Sequence, residues 1–318
     1  MSSKIELELP QQPTRPTGDL ILLSVALVAV SLAAILIKLS EREIGPNATI
    51  FNRLWIATLA FSLWNGLKAV VDRKEEKITV KSLPDSHQEG LLFILVGIVG
   101  SASVICWAWS LTQTSVANST VLRSMSPVFT SLGGWLLFNQ RFDRRFLAGM
   151  VLAILGAIAL EWDDLQIDSD RLIGDLVALL SALFYAANLL IIEALRSNFT
   201  AATILLWRCG IGSLFLLPIV WLTEDQFFPK TIEGWLILIA LAVICQTFGQ
   251  GLLVHTLNRF SSGFVAVVLL FEPAIAACFA WLIFAEQLTL VNGLAFAVIL
   301  AGIYLAKTSG SAEKVATE

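Results

Sequence analysis

The sequence predicts an all-α fold, a polytopic transmembrane bundle of ten helices arranged as two inverted five-helix repeats. Three observations carry that expectation. Only 14% of the 318 residues are charged and 57% are hydrophobic, where a soluble domain carries about 25% charged residues; the mean hydropathy is +0.79. Several apolar runs approach or exceed the roughly 18 residues that cross a bilayer as a helix. The two halves of the chain also repeat one another in order.

The first 18 residues hold Pro10, Pro13, Pro16 and mixed charges, the composition of a disordered tail. Acidic residues precede the first apolar run and no small-residue cleavage site follows it, so that run reads as a membrane helix rather than a cleaved leader. The first repeat, 19–162, has spans near Leu20–Leu39, Ala48–Val71, Leu91–Leu111, Val116–Phe138 and Phe146–Trp162. The second, 171–307, has spans near Leu172–Leu195, Thr203–Leu222, Gly234–Leu257, Phe264–Ala285 and Leu288–Ala306, and 308–318 form a C-terminal tail. Connections are short except for the charged loop Asp72–Glu89.

Lys and Arg set the orientation of such a bundle. With Arg53, Arg123 and Arg208 set aside as intramembrane, the tails and alternate loops hold fourteen: Lys4, Arg15, Lys68, Arg73, Lys74, Lys77, Lys81, Arg141, Arg144, Arg145, Arg196, Arg259, Lys307 and Lys314. The opposite loops hold four, Lys38, Arg42, Arg171 and Lys230, and are acidic instead, with Glu41, Glu43, Asp163, Asp164, Asp168, Asp170, Glu224 and Asp225. This asymmetry places both termini in the cytoplasm of a cell-membrane protein, inner or plasma membrane.

The internal repeat is visible in three places. Ala48-Thr49-Ile50 leads to Arg53 as Ala202-Thr203-Ile204 leads to Arg208. Pro127, Trp135, Phe138 and Gln140 match Pro273, Trp281, Phe284 and Glu286, each 146 residues on. Gly149, Ala153 and Ala157 match Gly293, Ala297 and Ala301 in spacing. Five spans per copy turns the second upside down relative to the first, an architecture recurrent in secondary transporters, whose solute sites lie where the repeats meet.

These features resemble the ten-span EamA-type members of the drug/metabolite transporter superfamily, over nearly the whole chain after the tail. The likeness rests on Arg53 and Arg208 early in spans 2 and 7, on Pro127 and Pro273 in spans 4 and 9, on the aromatic ends of those spans with Glu286, and on the Gly/Ala-rich last helix; Gln140 stands where the pattern is commonly acidic. The resemblance implies a carrier of small metabolites, often an exporter of amino acids or related molecules.

Intramembrane polar groups are costly and point to function. Arg123 stands four residues before Pro127, and Glu272 directly precedes Pro273; each proline frees a carbonyl and kinks its helix near mid-span. Glu272 and Arg123 are read as facing a central cavity that binds a polar or zwitterionic solute, or as a structural ion pair. Gln246 and Gln250 on span 8, Tyr185 and Asn188 on span 6, and Trp107 and Trp109 on span 3 are candidate lining groups; interhelical hydrogen bonding and interfacial anchoring are the alternatives. His255 lies near a helix end. Arg53 and Arg208 are assigned to snorkelling or gating. The stripes Gly149/Ala153/Ala157 and Gly293/Ala297/Ala301 are expected to form a packing seam between the repeats, with a homodimer through the same face left open.

Catalysis, metal binding and cofactors are not expected. Besides His255 the chain has only His87, and no H-E-x-x-H, P-loop or G-x-G-x-x-G before a helix occurs. Cys106, Cys209, Cys245 and Cys278 lie singly in apolar runs, as buried small hydrophobes do. The expected partners are the lipid bilayer and a small-molecule solute, with no nucleic acid. A channel-like facilitator is the alternative function, with a membrane sensor or scaffold behind it.

Overall fold

The computed structural model describes residues 16–74, 84–162, 165, 171–285 and 287–313. The tail before Pro16, Lys77 and Lys81 of the long charged loop, Asp163, Asp164, Asp168, Asp170, Glu286 and Lys314 lie outside the described residues. What is described is all-α apart from one isolated bridge between Phe260 and Glu313. The helices are α1 (Pro16–Ser40), α2 (Pro46–Lys74), α3 (His87–Gln113), α4 (Val116–Arg123), α5 (Ser126–Phe138), α6 (Arg144–Leu160), α7 (Leu172–Leu195) and α8 (Ala201–Thr223). There follow α9 (Ile232–Ala240), a π-helical segment Leu241–Gly249, α10 (Gln250–Thr256), α11 (Ser262–Leu269), α12 (Glu272–Phe284) and α13 (Leu290–Lys307).

Among the described residues, eight stretches are long and apolar enough to cross a membrane: α1, α2, α3, α7, α8, the α9–π–α10 unit, α11 with α12, and α13. The helix α6 has 17 residues, and α4 and α5 are separated by a break. Local chemistry explains the boundaries. Side-chain oxygens of Ser86, Ser115, Asp143, Thr200, Thr231, Ser261 and Thr289 accept the backbone N–H three residues on, satisfying helix-start donors that lipid could not. The breaks at Ser124–Met125 and Leu270–Phe271 each precede a proline in the first turn of the next helix, and are bridged by tight three-residue hydrogen bonds.

The halves interlock. Helix α1 packs on the π segment, α10 and α12; α7 packs on α3 and α5; α2 lies against α8, and α6 against α13. A common core gathers Leu23, Phe93, Phe146, Phe199, Ile204 and Phe264, with the Phe93 and Phe199 rings edge to face at 4.8 Å. Leu63, Leu67, Trp221, Leu222, Leu282 and Leu290 are exposed on the outside, an apolar surface suited to lipid rather than water.

The seam between α6 and α13 corrects the expected register. Gly149, Ala153 and Ala157 are buried, but Gly293, Ala297 and Ala301 are exposed, and a Cβ on Gly293 would meet nothing within 4 Å. The face of α13 that meets α6 carries Ala295, Ile299, Gly302 and Ala306. A Cβ on Gly149 would stand 2.5 Å from the backbone nitrogen of Ala306, and one on Gly302 2.6 Å from the carbonyl oxygen of Gly149. The capping residues Asp143 and Thr289 match at an offset of 146, as do the buried Gly149, Ala153 and Gly156 with Ala295, Ile299 and Gly302, whereas the two small-residue stripes match at 144. A two-residue slip turns a helix by about 200°, so the second stripe looks away.

Candidate functional site

Where the halves meet, charged and polar groups from six elements come together. Arg53 comes from α2, Arg123 from α4, Tyr185 from α7, Arg208 from α8, Cys245 and Gln246 from the π segment, and Glu272 from α12; Tyr185 feels Glu272 and all three arginines. Arg123, Glu272, Arg53 and Tyr185 are closely surrounded by protein, yet each keeps some accessible surface.

The helix breaks place the two central charges. Arg123 is the last residue of α4, where the negative end of a helix dipole favours a cation. Glu272 is the first residue of α12, where the positive end favours a carboxylate. The Arg123 guanidinium lies over the rings of Trp107 (4.8 Å) and Tyr185 (5.3 Å), geometry that stabilises a desolvated cation. Among the described residues no acid lies within 4.0 Å of Arg53, Arg123 or Arg208, so Glu272 and Arg123 interact through space without forming a contact ion pair.

Arg53 does not reach out to headgroups. Its Nε donates to Gln246 Oε1 at 2.8 Å, and Gln246 Nε2 donates to Cys209 Sγ at 3.4 Å. Arg208 also turns inward, and Gly100 makes room for it: a Cβ there would stand 2.8 Å from Asn188 Oδ1 and 3.0 Å from Arg208 Nε. The snorkelling assignment for both arginines is therefore corrected. Both lie about 10 Å into their helices, at 1.5 Å per residue, which is where the cluster sits.

Of the seven buried side-chain polar atoms with no hydrogen-bond partner among the described residues, four belong to this cluster: Trp107 Nε1, Arg123 Nη1, Asn188 Oδ1 and Arg208 Nη1. An orphaned buried donor or acceptor costs about 1–3 kcal/mol, so such a concentration marks a place for water or solute. Trp109 does not belong to it, being exposed on the outer face; two residues on from Trp107 means the opposite side of the helix. Gln250 is half-buried and its side chain makes no hydrogen bond among those described. The segment between it and Gln246 is π-helical and bonds five residues back; Gln246 is buried against Arg53 and Cys209, whereas Gln250 makes no such contact. His255 is exposed at the end of α10. Two open grooves lie elsewhere: one of about 550 Å³ between α1, the π segment and Phe279, the other of about 620 Å³ between α5 and α6. Both are walled mainly by apolar side chains, and neither touches the charged cluster.

Sequence reading missed a second polar knot. Glu193, near the end of α7, is buried and accepts from Gln140 Nε2 and from the Ser262 N–H that opens α11, each at 3.0 Å. The signal was an acid inside an apolar run. Beside it Arg196, past the end of α7, is buried and donates to the carbonyls of Val254 and Phe199, and burial pushes its guanidinium down to about 10.

Comparison with known proteins agrees with the architecture. A solved crystal structure superposes with a TM-score of 0.75 at 15% identity, over 92% of this chain and 98% of that one, which is a likeness of fold. The Pseudopaline exporter CntI of Pseudomonas aeruginosa is 26% identical over 225 residues, 70% of this chain and 77% of its own. An uncharacterized transporter of Archaeoglobus fulgidus is 22% identical over 292 residues, 90% of this chain and 96% of its own. The family model of the EamA-like transporter family matches twice, over residues 17–161 and 172–308. With both halves of the chain matched, the protein belongs to the EamA-like transporter family and is a membrane transporter.

Proposed function

We propose that this transporter is a secondary carrier that exports small metabolites by alternating access, and that the charged cluster between the halves is its solute chamber. The observation that carries the reading is the meeting of Arg123, Glu272, Arg53 and Arg208 at two helix breaks, with buried polar atoms left unsatisfied. Broken helices around a polar site at a repeat interface are the setting in which carriers hold solutes.

In this reading α4–α5 and α6 complete ten spans. The broken pair covers the length of one span, and 17 residues at 1.5 Å each nearly cross the hydrocarbon core. The two five-span repeats are inverted, and the fourteen-to-four distribution of Lys and Arg puts both termini in the cytoplasm of a cell membrane. The α11 end is then cytoplasmic, and burial of all its residues supports closure on that side; α4 at the opposite end leaves Val116 exposed. The name of the Pseudomonas relative supports export as the direction.

Exchange measured in proteoliposomes tests the proposal. A carrier gives saturable, competable flux that Arg123→Leu abolishes. Unsaturable flux with single-channel currents would instead make the protein a channel.

A further inference from the structure

The chamber is electrically lopsided. Three guanidinium groups, Arg53, Arg123 and Arg208, face one carboxylate, Glu272. Burying unpaired charge is costly, and Glu272 balances at most one of the three. Tyr185, Asn188, Gln246, Cys209 and Cys245 complete the polar surroundings and bring no negative charge while protonated. Arg123 stacks on two rings and Arg53 leans on an amide, but neither contact neutralises charge. Two guanidinium nitrogens, Arg123 Nη1 and Arg208 Nη1, are buried with no acceptor among the described residues.

What would complete such a site is a ligand that supplies acceptors and negative charge together. Resting on the carrier reading above, we propose that the solute is a small organic oxyanion with net negative charge, its carboxylate or phosphate oxygens taken by Arg123 and Arg208. The planar fork of arginine matches the two oxygens of such groups and loses little entropy in pairing with them. Glu272 adds selectivity. An ammonium on the solute pairs with it, whereas a solute without one meets repulsion there. Aminodicarboxylates therefore fit better than simple dicarboxylates of the same size.

Thermal-shift titration of the full chain in lipid nanodiscs at constant ionic strength tests this with glutamate, citrate, glycerol phosphate, lysine and choline as probes. Ligand binding to the folded state raises the midpoint. Glutamate and at least one other anion are expected to raise it, and lysine and choline are not. Arg123→Gln and Arg208→Gln should each weaken glutamate about tenfold or more, while Glu272→Gln should weaken glutamate and strengthen citrate. Citrate against glycerol phosphate ranks carboxylate and phosphate chemistry. If a glutamine variant fails to purify as a single species, Arg123→Lys and Arg208→Lys keep the charge, lose the fork and are expected to show the same order in milder form. Preference for lysine or choline, lost in Glu272→Gln, would overturn the oxyanion assignment and leave the carrier standing. Anion shifts unchanged in the double variant would place the binding elsewhere and overturn it too, as would no response to any anion at tens of millimolar. Saturable proteoliposome exchange is a separate readout, and its failure would overturn the carrier reading instead.

Discussion

The broken helices of the two halves occupy matching places, 146 residues apart, and carry opposite chemistry. In the first half the upstream piece ends on Arg123 and the downstream piece opens on Ser126; in the second the same positions hold Leu269 and Glu272. Their surroundings differ as well. Every residue of α11 is buried, and the helix packs on α5, α7 and α13. Its counterpart α4 is partly exposed and packs on α7 and α3. One backbone device has been given two jobs: α11 is an apolar plug with an acid just beyond it, and α4 is a polar arm that delivers a cation. A duplicated fold stays free to specialise because the break itself needs only a proline and a cap.

The largest effect expected on that contrast comes from Glu193→Ala. It orphans the Ser262 N–H and the Gln140 amide beneath α11, at a cost of about 2–4 kcal/mol for two buried groups, read as a lower unfolding midpoint. The counterpart at α4 is looser: Asp175 of α7 accepts from Thr114 Oγ1 at 2.6 Å and from Asn118 Nδ2 at 3.4 Å, and from no backbone N–H of α4 among the bonds described. Arg123→Leu makes the first break resemble the second: flux should vanish while the midpoint holds or rises, because a buried cation has been replaced by an apolar group. A large loss of stability there would mean that Arg123 is structural. Among the caps, Ser115→Ala should cost about 1 kcal/mol. Ser261→Ala should cost more, since its hydroxyl also donates to the Ser311 carbonyl and holds the chain after α13. The lower ends differ less. Ala285 and Asn139 both cap their helices with left-handed backbone, φ 55° and 51°. Ala285→Gly should stabilise by about 1 kcal/mol, and Asn139→Gly by almost nothing, because Asn already tolerates that region. The smallest effect is on pH dependence. The Phe146 N–H holds the Asp143 carboxyl below its usual value. Its folded pKa thus lies below the unfolded one, and the stability it contributes is present above about pH 4 and lost as pH falls through the folded value. Asp143→Asn should flatten the acid limb of the midpoint-against-pH curve, and Thr289, the uncharged counterpart, adds no such slope.

Much of this was legible in the residues. Apolar runs located the helices because lipid requires them, and Pro127 and Pro273 located the breaks because proline removes a specific hydrogen bond. Arg123, Glu272, Tyr185, Asn188, Trp107 and Gln246 stood out as polar groups in hydrocarbon, and the fold brings them together. The inward turn of Arg53 and Arg208 was not legible, since depth along a helix does not say which way it faces. Nor was the register of α13, where the regular small stripe Gly293/Ala297/Ala301 is the more conspicuous pattern and the face that packs, Ala295, Ile299, Gly302 and Ala306, includes a large Ile. The π turn was invisible because no residue type demands one. Glu193 was visible and overlooked among the apolar residues at the end of α7.

Whether the charged cluster is the solute path or a sealed structural knot is decided most directly at Asn188. In a chain whose four cysteines are replaced, Asn188→Cys would be exposed to a membrane-impermeant thiol reagent in right-side-out and in inverted vesicles. A translocation chamber predicts labelling from both sides, slowed by bound solute. A residue that reacts from neither side, in protein that is folded and inserted, would contradict the account.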